Sequence, residues 1–214
     1  MELVKTNKKT ICLTTMVKNE EKVIGRMIDS CKEIIDYWVI MDTGSTDSTI
    51  SIIRDKLKDI PGDLIEVPFV NFGHNRTQLV KKAKDKADYL LLLDADMTIG
   101  LSKKFDKTRL IADAYHIRYS GSLDFAQTLL VGGHVDWFYE GVTHEYITCG
   151  TVGNPPIYEE LWVNHLLDGS NRPEKLERDK SLLEKDIIDN PGNSRSYFYL
   201  AQTYANRSMY DQAI

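Results

Sequence analysis

The chain has little cysteine: Cys12, Cys31 and Cys149 are all there is, and they lie far apart. An odd count argues against a disulfide scaffold. The absence of any Cys-x-x-Cys pair argues against a zinc ribbon or a thioredoxin-like redox site. There is no run of about 18 apolar residues, so no membrane span is expected. Met1–Lys9 is polar and lacks the apolar core of a signal peptide, which makes a cytoplasmic protein the default expectation. An excess of positive charge is missing too. The 27 Lys and Arg stand against 32 Asp and Glu, a net charge of -5, which argues against a general footprint for nucleic acid. Neither Gly-x-Gly-x-x-Gly nor a Walker A sequence occurs, so the usual dinucleotide and phosphate-loop arguments have no anchor. Nor is there a Gly-x-Ser-x-Gly nucleophile elbow.

What is present fills a core. The 214 residues are 42% hydrophobic, enough for one domain with an appendage. Residues 10–17 read as a buried strand. Val23, Met27, Ile28 and Cys31 then recur at helical spacing, with Asn19 as a plausible cap. Residues 37–41 read as a second strand, followed by a turn at Asp42, Thr43, Gly44 and Ser45 and a helix through Ile50, Ile53 and Leu57. A third strand is expected near Leu64–Val67, a third helix over Asn75–Lys86, and a strong strand at residues 89–93 that ends in Asp94-Ala95-Asp96. Alternating strands and helices argue for an α/β fold with a mostly parallel sheet, whose ligands gather beyond the C-terminal strand ends.

After residue 100 the rhythm changes. Ala114–Tyr119, Gln127–Val131 and Val135–Tyr139 are short strand-like pieces suited to a smaller mixed or antiparallel addition. Asp168–Pro173 reads as a loop. Leu176, Leu182, Leu183, Ile187 and Ile188 then form an imperfect apolar helix face. Tyr197, Leu200, Ala201, Tyr204, Tyr210 and Ala213 match much of the tetratricopeptide pattern; an ordinary helical hairpin covering the sheet is the competing reading. The expected division is residues 1–174 for the α/β domain and 175–214 for the helices. The exposed edge at 197–214 offers a surface for a second copy, making a homo-oligomer one expectation.

Asp94 and Asp96 alternate along an extended chain, so both side chains can point the same way. Two nearby carboxylates repel unless a cation or a proton relieves them, and a hard divalent ion does this with oxygen ligands. A solvated turn is the competing reading. Asp42 can accept hydrogen bonds from a base or ribose, or cap its own turn. Asp47 reads as a helix-start residue. His144-Glu145 is not the zinc helix His-Glu-x-x-His, because Thr148 stands at the second histidine position. His165, after the strand-like LWVN, can complete the sphere of a manganese-like ion or serve structure alone. Lys81, Lys82, Lys84 and Lys86 read as a solvated helix face. Asn75-Arg76-Thr77 and Asn206-Arg207-Ser208 match glycosylation acceptor patterns, which matter only in a secreted protein.

The segments TTMVKNEEKVIGRMIDS, VIMDTGSTDST and YLLLLDADM together resemble family 2 glycosyltransferases of the GT-A fold. The resemblance is close over residues 10–96 and continues more loosely through WFYEGVTHEYI and VNHLLDGSNRPEKLERD. A subgroup of that family carries tetratricopeptide repeats after the transferase domain. The resemblance implies a Rossmann-like GT-A sheet flanked by helices, a donor that is a UDP-sugar (glucose or a related hexose), and Mn2+ or Mg2+ as cofactor. It puts Thr14, Val17, Asn19 and Glu20 along the nucleotide edge and Asp42 at uracil or ribose, with Gly44 and Ser45 shaping the turn. Asn75 and Arg76 correspond to an Ala-Arg-Asn segment, although the order here is His-Asn-Arg. Asp96 matches the metal ligand of Asp-x-Asp, Asp94 touches ribose or the ion, and Ala95 lies between them. His165 resembles a late histidine on the same ion and diphosphate. Asp168, Gly169 and Ser170 approach the phosphates or flank the acceptor, and Lys175 and Arg178 offer charge to the leaving group.

The chemistry implied is attack of an acceptor hydroxyl on the anomeric carbon, helped by a carboxylate base in an inverting enzyme. The Glu-Asp base motif of many relatives is not evident. Glu145 is the first choice for the base, with binding of a hydroxyl as its competing role, and Asp136 and Asp124 come next. Trp137 and Tyr139 are suited either to stack on a sugar or to pack in the core. The acceptor is expected to be a glycan or glycoprotein. A sugar-nucleotide nucleotidyltransferase is the alternative enzyme, but TMVKNEE is a poor phosphate-binding turn. A helical-repeat scaffold is the non-catalytic alternative.

Overall fold

The structure is a computed structural model that describes residues 8–121, 125–169 and 175–205. Among the described residues, ten strands and five α-helices succeed one another in the order β1 (Ile11–Val17), α1 (Ile24–Cys31), β2 (Tyr37–Asp42), α2 (Thr49–Lys56), β3 (Gly62–Glu66), α3 (Phe72–Ala83), β4 (Tyr89–Leu92), β5 (Met97–Leu101), β6 (Ala114–Tyr119), β7 (Ala126–Gly132), β8 (Phe138–Glu140), β9 (Tyr146–Thr148), β10 (Ile157–His165), α4 (Lys175–Asp189) and α5 (Ser194–Ala205).

Eight strands form one sheet in the order β3-β2-β1-β4-β7-β6-β10-β5, and β8 pairs with β9 separately. The first four are parallel, in the register Thr14 to Val39 and Leu92, and Val39 to Asp63. Strands β1, β2 and β4 are almost wholly buried and apolar, as a sheet covered on both faces requires. Helix α1 turns Ile24, Met27, Ile28 and Cys31 inward at i, i+3, i+4 and i+7 and packs on α2 and β5. Helix α3 packs on β1 and β2. The fold is therefore α/β and GT-A-like, a mixed sheet flanked by helices with a helical C-terminal segment.

In the second half Ala114–Tyr119 and Gln127–Val131 are strands as expected, and their mixed pairing extends the main sheet. Strand β7 is antiparallel to β4 and β6, β10 is parallel to β6, and β5 is antiparallel to β10. The C-terminal end of β10 therefore lies at the same sheet edge as the ends of β1, β2 and β4. Val135–Tyr139 is not one strand. Trp137 is buried, with its indole donating to the Gly132 carbonyl at 2.9 Å, and only Phe138–Glu140 is extended. Helix α3 begins earlier than expected because Asn71 caps it, accepting from the His74 amide at 2.7 Å.

Helix α4 does not bury the expected apolar face. Leu183 is buried, but Leu176 and Ile188 are 42% and 79% exposed, and Asp179 and Asp186 are buried instead. Asp186 accepts from Asn190 at 2.9 Å, Asn193 at 2.8 Å and the Ser196 hydroxyl at 2.5 Å, which stitches the turn between α4 and α5. Hydrogen bonds thus offset the cost of burying a carboxylate. The described helices make a hairpin; Tyr210 and Ala213 of the repeat pattern, and Asn206-Arg207-Ser208, lie outside the described residues. All three cysteines are free.

Candidate active site

After β4 the chain turns at once, the Met97 amide donating to the Asp94 carbonyl at 3.0 Å, and runs back as β5. His165, the last residue of β10, pairs with Met97, the first of β5, and the Leu166 amide donates to the Asp96 carbonyl at 3.2 Å. This brings His165 Nε2 to 3.2 Å from Asp96 Oδ2 across a separation of 69 residues. Gly169 lies against the same carboxylate, since a Cβ there would sit 3.0 Å from Asp96 Oδ2. Asp168 instead takes a bidentate pair from Arg26, at 3.0 and 2.7 Å, which anchors the loop after β10 to α1.

The space in front of this pair is a cleft of about 340 Å³. Val17, Lys18 and Glu20 line it from the end of β1, Thr43 from β2, and Asp94, Ala95 and Asp96 from the turn after β4. His165 and Gly169 close it from β10, Lys175 and Arg178 from α4, and Phe69, Phe72 and Arg76 from α3 and the loop before it. Arg178 stacks over the Phe72 ring at 4.6 Å and pairs with Asp179 at 3.0 Å.

Other expected residues sit behind the cleft. Thr14 is buried inside β1 with its hydroxyl on the Cys12 carbonyl at 3.3 Å, because the strand end comes three residues later. Asn19 is not the cap of α1, which starts at Ile24 with no side-chain cap. It takes φ +54°, donates its amide to Ser45 Oγ at 2.8 Å and accepts from the Thr46 amide at 2.7 Å, tying two loops together. Glu20, which does line the cleft, has its amide donating to Thr49 Oγ1 at 2.7 Å. Asp47 accepts from Thr49 at the start of α2, as a helix-start residue does. Asp42 is 2% exposed. Its Oδ2 accepts from the Gly44 and Ser45 amides at 2.9 and 2.8 Å, while Oδ1 is buried with no partner. Gly44 takes φ +101°, which suits glycine alone. Ser170 and Asp124 lie outside the described residues.

Arg76 is the residue the sequence describes least well. Asn75 before it is buried and holds the loop, accepting from the Val70 amide at 2.8 Å and donating to the Pro68 carbonyl at 3.1 Å. Arg76 reaches Asp94 Oδ1 at 2.5 Å and places Nε 2.8 Å from Glu145 Oε1. The second contact is an ion pair without hydrogen-bond direction, since that N–H has no acceptor along its axis. Burial opposes the guanidinium charge, yet Asp94 and Glu145 outweigh it and raise its pKa. Burial likewise opposes the Asp94 carboxylate, but Arg76, helped by His165 and Lys175, holds its pKa below the ordinary value. The close approach of α3 to the Glu145 loop depends on Gly73, where a Cβ would fall 2.0 Å from the Gly141 carbonyl oxygen.

Glu145 faces a second cavity of about 320 Å³ that shares Arg76 and Asp94 with the first. Tyr139 lines it, whereas Trp137 is core and Asp136 is an exposed partner of Lys84. His144 has φ +51° and stacks on Tyr199 of α5, centroids 4.3 Å apart and planes 7° from parallel. The lysines Lys84 and Lys86 pair with surface acids, as a solvated face does. Sequence reasoning missed Lys18, Thr43, Phe69 and Phe72. The signal for the last two was the aromatic pair flanking Asn71, whose rings meet edge-on at 5.1 Å.

Residues 12–102 match the model of Glycosyl transferase family 2. The match covers the parallel half of the sheet and both aspartates of the β4 turn. No curated protein matches the chain. Among solved structures the chain is similar to glucosyl-3-phosphoglycerate synthase from Mycobacterium tuberculosis. Its complex with Mn2+, UDP and glucosyl-3-phosphoglycerate aligns at 22% identity and TM-score 0.35, over 42% of this chain and 34% of that one. The complex with Mn2+ and UDP-glucose gives the same four values. The chain thus spans about a third of the length of those proteins, 34%. Among the described residues, no group of three or more His, Cys, Asp or Glu side chains is set to hold a metal ion. No helix among them is long and apolar enough to cross a membrane.

Proposed function

We propose that the chain is a metal-dependent glycosyltransferase that moves a hexose from a UDP-sugar to a hydroxyl of a glycan or glycoprotein. The observation that carries this reading is the Asp96–His165 pair, 3.2 Å apart, at the strand-end edge of a cleft rimmed by Lys18, Arg76, Lys175 and Arg178. One carboxylate and one imidazole are too few for a protein-only metal site. They suit a divalent ion that takes its remaining ligands from a diphosphate and water. Asp96 and His165 would hold Mn2+ or Mg2+, with Asp94 beside them; the ion would neutralise charge on the diphosphate.

The protein's own groups do the rest. Lys175 and Arg178 face the diphosphate, and Val17, Glu20 and the Asp42 turn face the nucleotide. Thr14 and Asn19 support that edge from behind. Glu145 takes the proton of the acceptor hydroxyl as its oxygen bonds to the anomeric carbon. The bond from that carbon to the phosphate oxygen breaks, and UDP leaves with the electron pair. In this reading residues 1–174 carry the transferase and 175–214 a helical segment whose first turn belongs to the donor cleft.

Calorimetric titration with UDP, with and without Mn2+, tests the site. Binding should need the ion and disappear in Asp96→Ala while the fold stays intact. Undiminished binding by that variant overturns the assignment, and release of UDP from a panel of UDP-sugars then identifies the donor.

A further inference from the structure

We infer that the second cavity takes the acceptor and that the acceptor is an uncharged carbohydrate, not a phosphorylated or carboxylated one. This rests on the transferase reading above. Arg76 and Asp94 line both cavities, so the two share a wall, beside which the donor sugar would be delivered. Glu145, the residue placed to accept the hydroxyl proton, lines only the second.

The two cavities differ in charge. The donor cleft has Lys18, Lys175 and Arg178 besides Arg76, against Glu20, Asp94 and Asp96, so its lining carries one more cation than carboxylates, which suits a diphosphate bound with a divalent ion. In the second cavity Arg76 is the only cation among the described residues that line it, and it is already held between Asp94 at 2.5 Å and Glu145 at 2.8 Å. The wall is net negative, so an anionic acceptor would meet a carboxylate with no cation left to offset it. What remains is neutral. Gln127 uses its amide oxygen to accept from Tyr119 at 2.5 Å, which leaves its amide N–H groups directed elsewhere. Thr128, Tyr139 and Tyr146 add neutral hydroxyls, and leucine, isoleucine and methionine side chains complete the lining. Neutral hydrogen-bonding groups beside apolar surface match a sugar ring, which carries hydroxyls on its rim and C–H on its faces. A volume of about 320 Å³ is that of a small-molecule site.

The test is saturation-transfer NMR on the whole chain with UDP and Mg2+, using methyl glucoside and maltose against glucuronate and glucose 6-phosphate. Transfer assays with the same four acceptors run in parallel. The neutral glycosides should bind, and should be glycosylated about tenfold faster or more than the anionic ones. Ile147→Trp should fill the cavity and remove the glycoside signal while metal-dependent UDP binding persists. Thr128→Lys should narrow or reverse the preference by supplying the missing cation. Preference for the anionic acceptors, binding of no acceptor, or indifference to Ile147→Trp overturns the inference. If UDP binding is still lost in Asp96→Ala, the transferase reading survives that result. Absence of UDP binding in the unaltered chain overturns both.

Discussion

The two halves of the sheet build their parts of the site by different means. In the parallel half, β1 to β4, each candidate group lies at or just after a strand end: Val17 closes β1, Asp42 closes β2, and Asp94 and Asp96 come after β4. The contacts that set them are local, as in the Asp42 carboxylate accepting from amides two and three residues on. In the mixed half, His165 and Glu145 are useful only because distant segments deliver them. His165 depends on β10 pairing with β5, and Glu145 depends on α3, α5 and the loop at Gly141. A site of this kind has a side that folds with its own strand and a side that exists only when the whole domain is closed.

The comparison is broken most severely at Glu145, the residue that joins the halves through Arg76. Glu145→Gln keeps the shape and removes the proposed base, so transfer should fall about 10²- to 10⁴-fold while UDP affinity changes little. Turnover with saturating UDP-sugar, set against the UDP dissociation constant, separates the two effects. Equal loss of both would make Glu145 a binding residue.

A smaller effect is expected at Arg195. From α5 it donates to the His144 carbonyl at 2.6 Å, and its guanidinium lies 4.8 Å from the Tyr146 ring and 4.9 Å from that of Tyr199. These contacts grip both neighbours of Glu145, so the helical segment positions the proposed base. In Arg195→Ala the loop loosens, and kcat should fall about 10-fold, within the cost of misplacing a reacting group by an ångström. The donor KM should hold, and Arg195→Lys should recover little because an ammonium cannot stack on two rings while reaching the carbonyl. A drop in melting temperature with kcat unchanged would show the contact to be structural only.

Much of the first half is legible because continuous apolar runs such as residues 89–93 can only be buried strands, and the residues just after such a strand must lie at the sheet edge. The second half is less so. β5 is five residues with a glycine, MTIGL, and carries no pattern of its own. Asp179 and Asp186 lie outside the apolar face read for this helix, yet the structure buries both because Arg178, Asn190, Asn193 and Ser196 satisfy them. Asn19 reads as a helix cap, but its positive φ and its bonds to Ser45 and Thr46 make it a link between loops. Hydrogen-bond partners remote in sequence leave no periodic trace. The same holds for Arg76, whose two carboxylates come from opposite halves.

The Asp186 stitch gives a third way to separate the halves. Asp186→Ala leaves three side-chain donors without their acceptor and should cost about 1–3 kcal/mol, felt in the α4–α5 hairpin and not in the parallel sheet. Hydrogen exchange should quicken over residues 194–205 and stay slow over β1 and β4. Uniform quickening across the chain would mean that the hairpin and the sheet unfold as one unit.

The smallest effect sharpens the comparison by pH. Stacking on Tyr199 strips water from one face of the His144 ring, and this loss of hydration holds its pKa below the ordinary value of 6.5, against the pull of Asp179. In the unfolded chain the ring titrates normally, so between the lowered pKa and 6.5 the unfolded state binds more protons. The stability from this contact is complete above pH 6.5 and is lost as pH falls through the folded-state value. His144→Asn keeps a residue that tolerates φ +51° and removes the titration. Melting temperatures of the two proteins, taken from about pH 7.5 to 5, should therefore converge as the pH falls, because only the unaltered chain loses this contribution. The shift should be small, since the outer face of the ring stays in water. Parallel curves would assign the pH dependence to other groups and leave the His144–Tyr199 stack with no part in it.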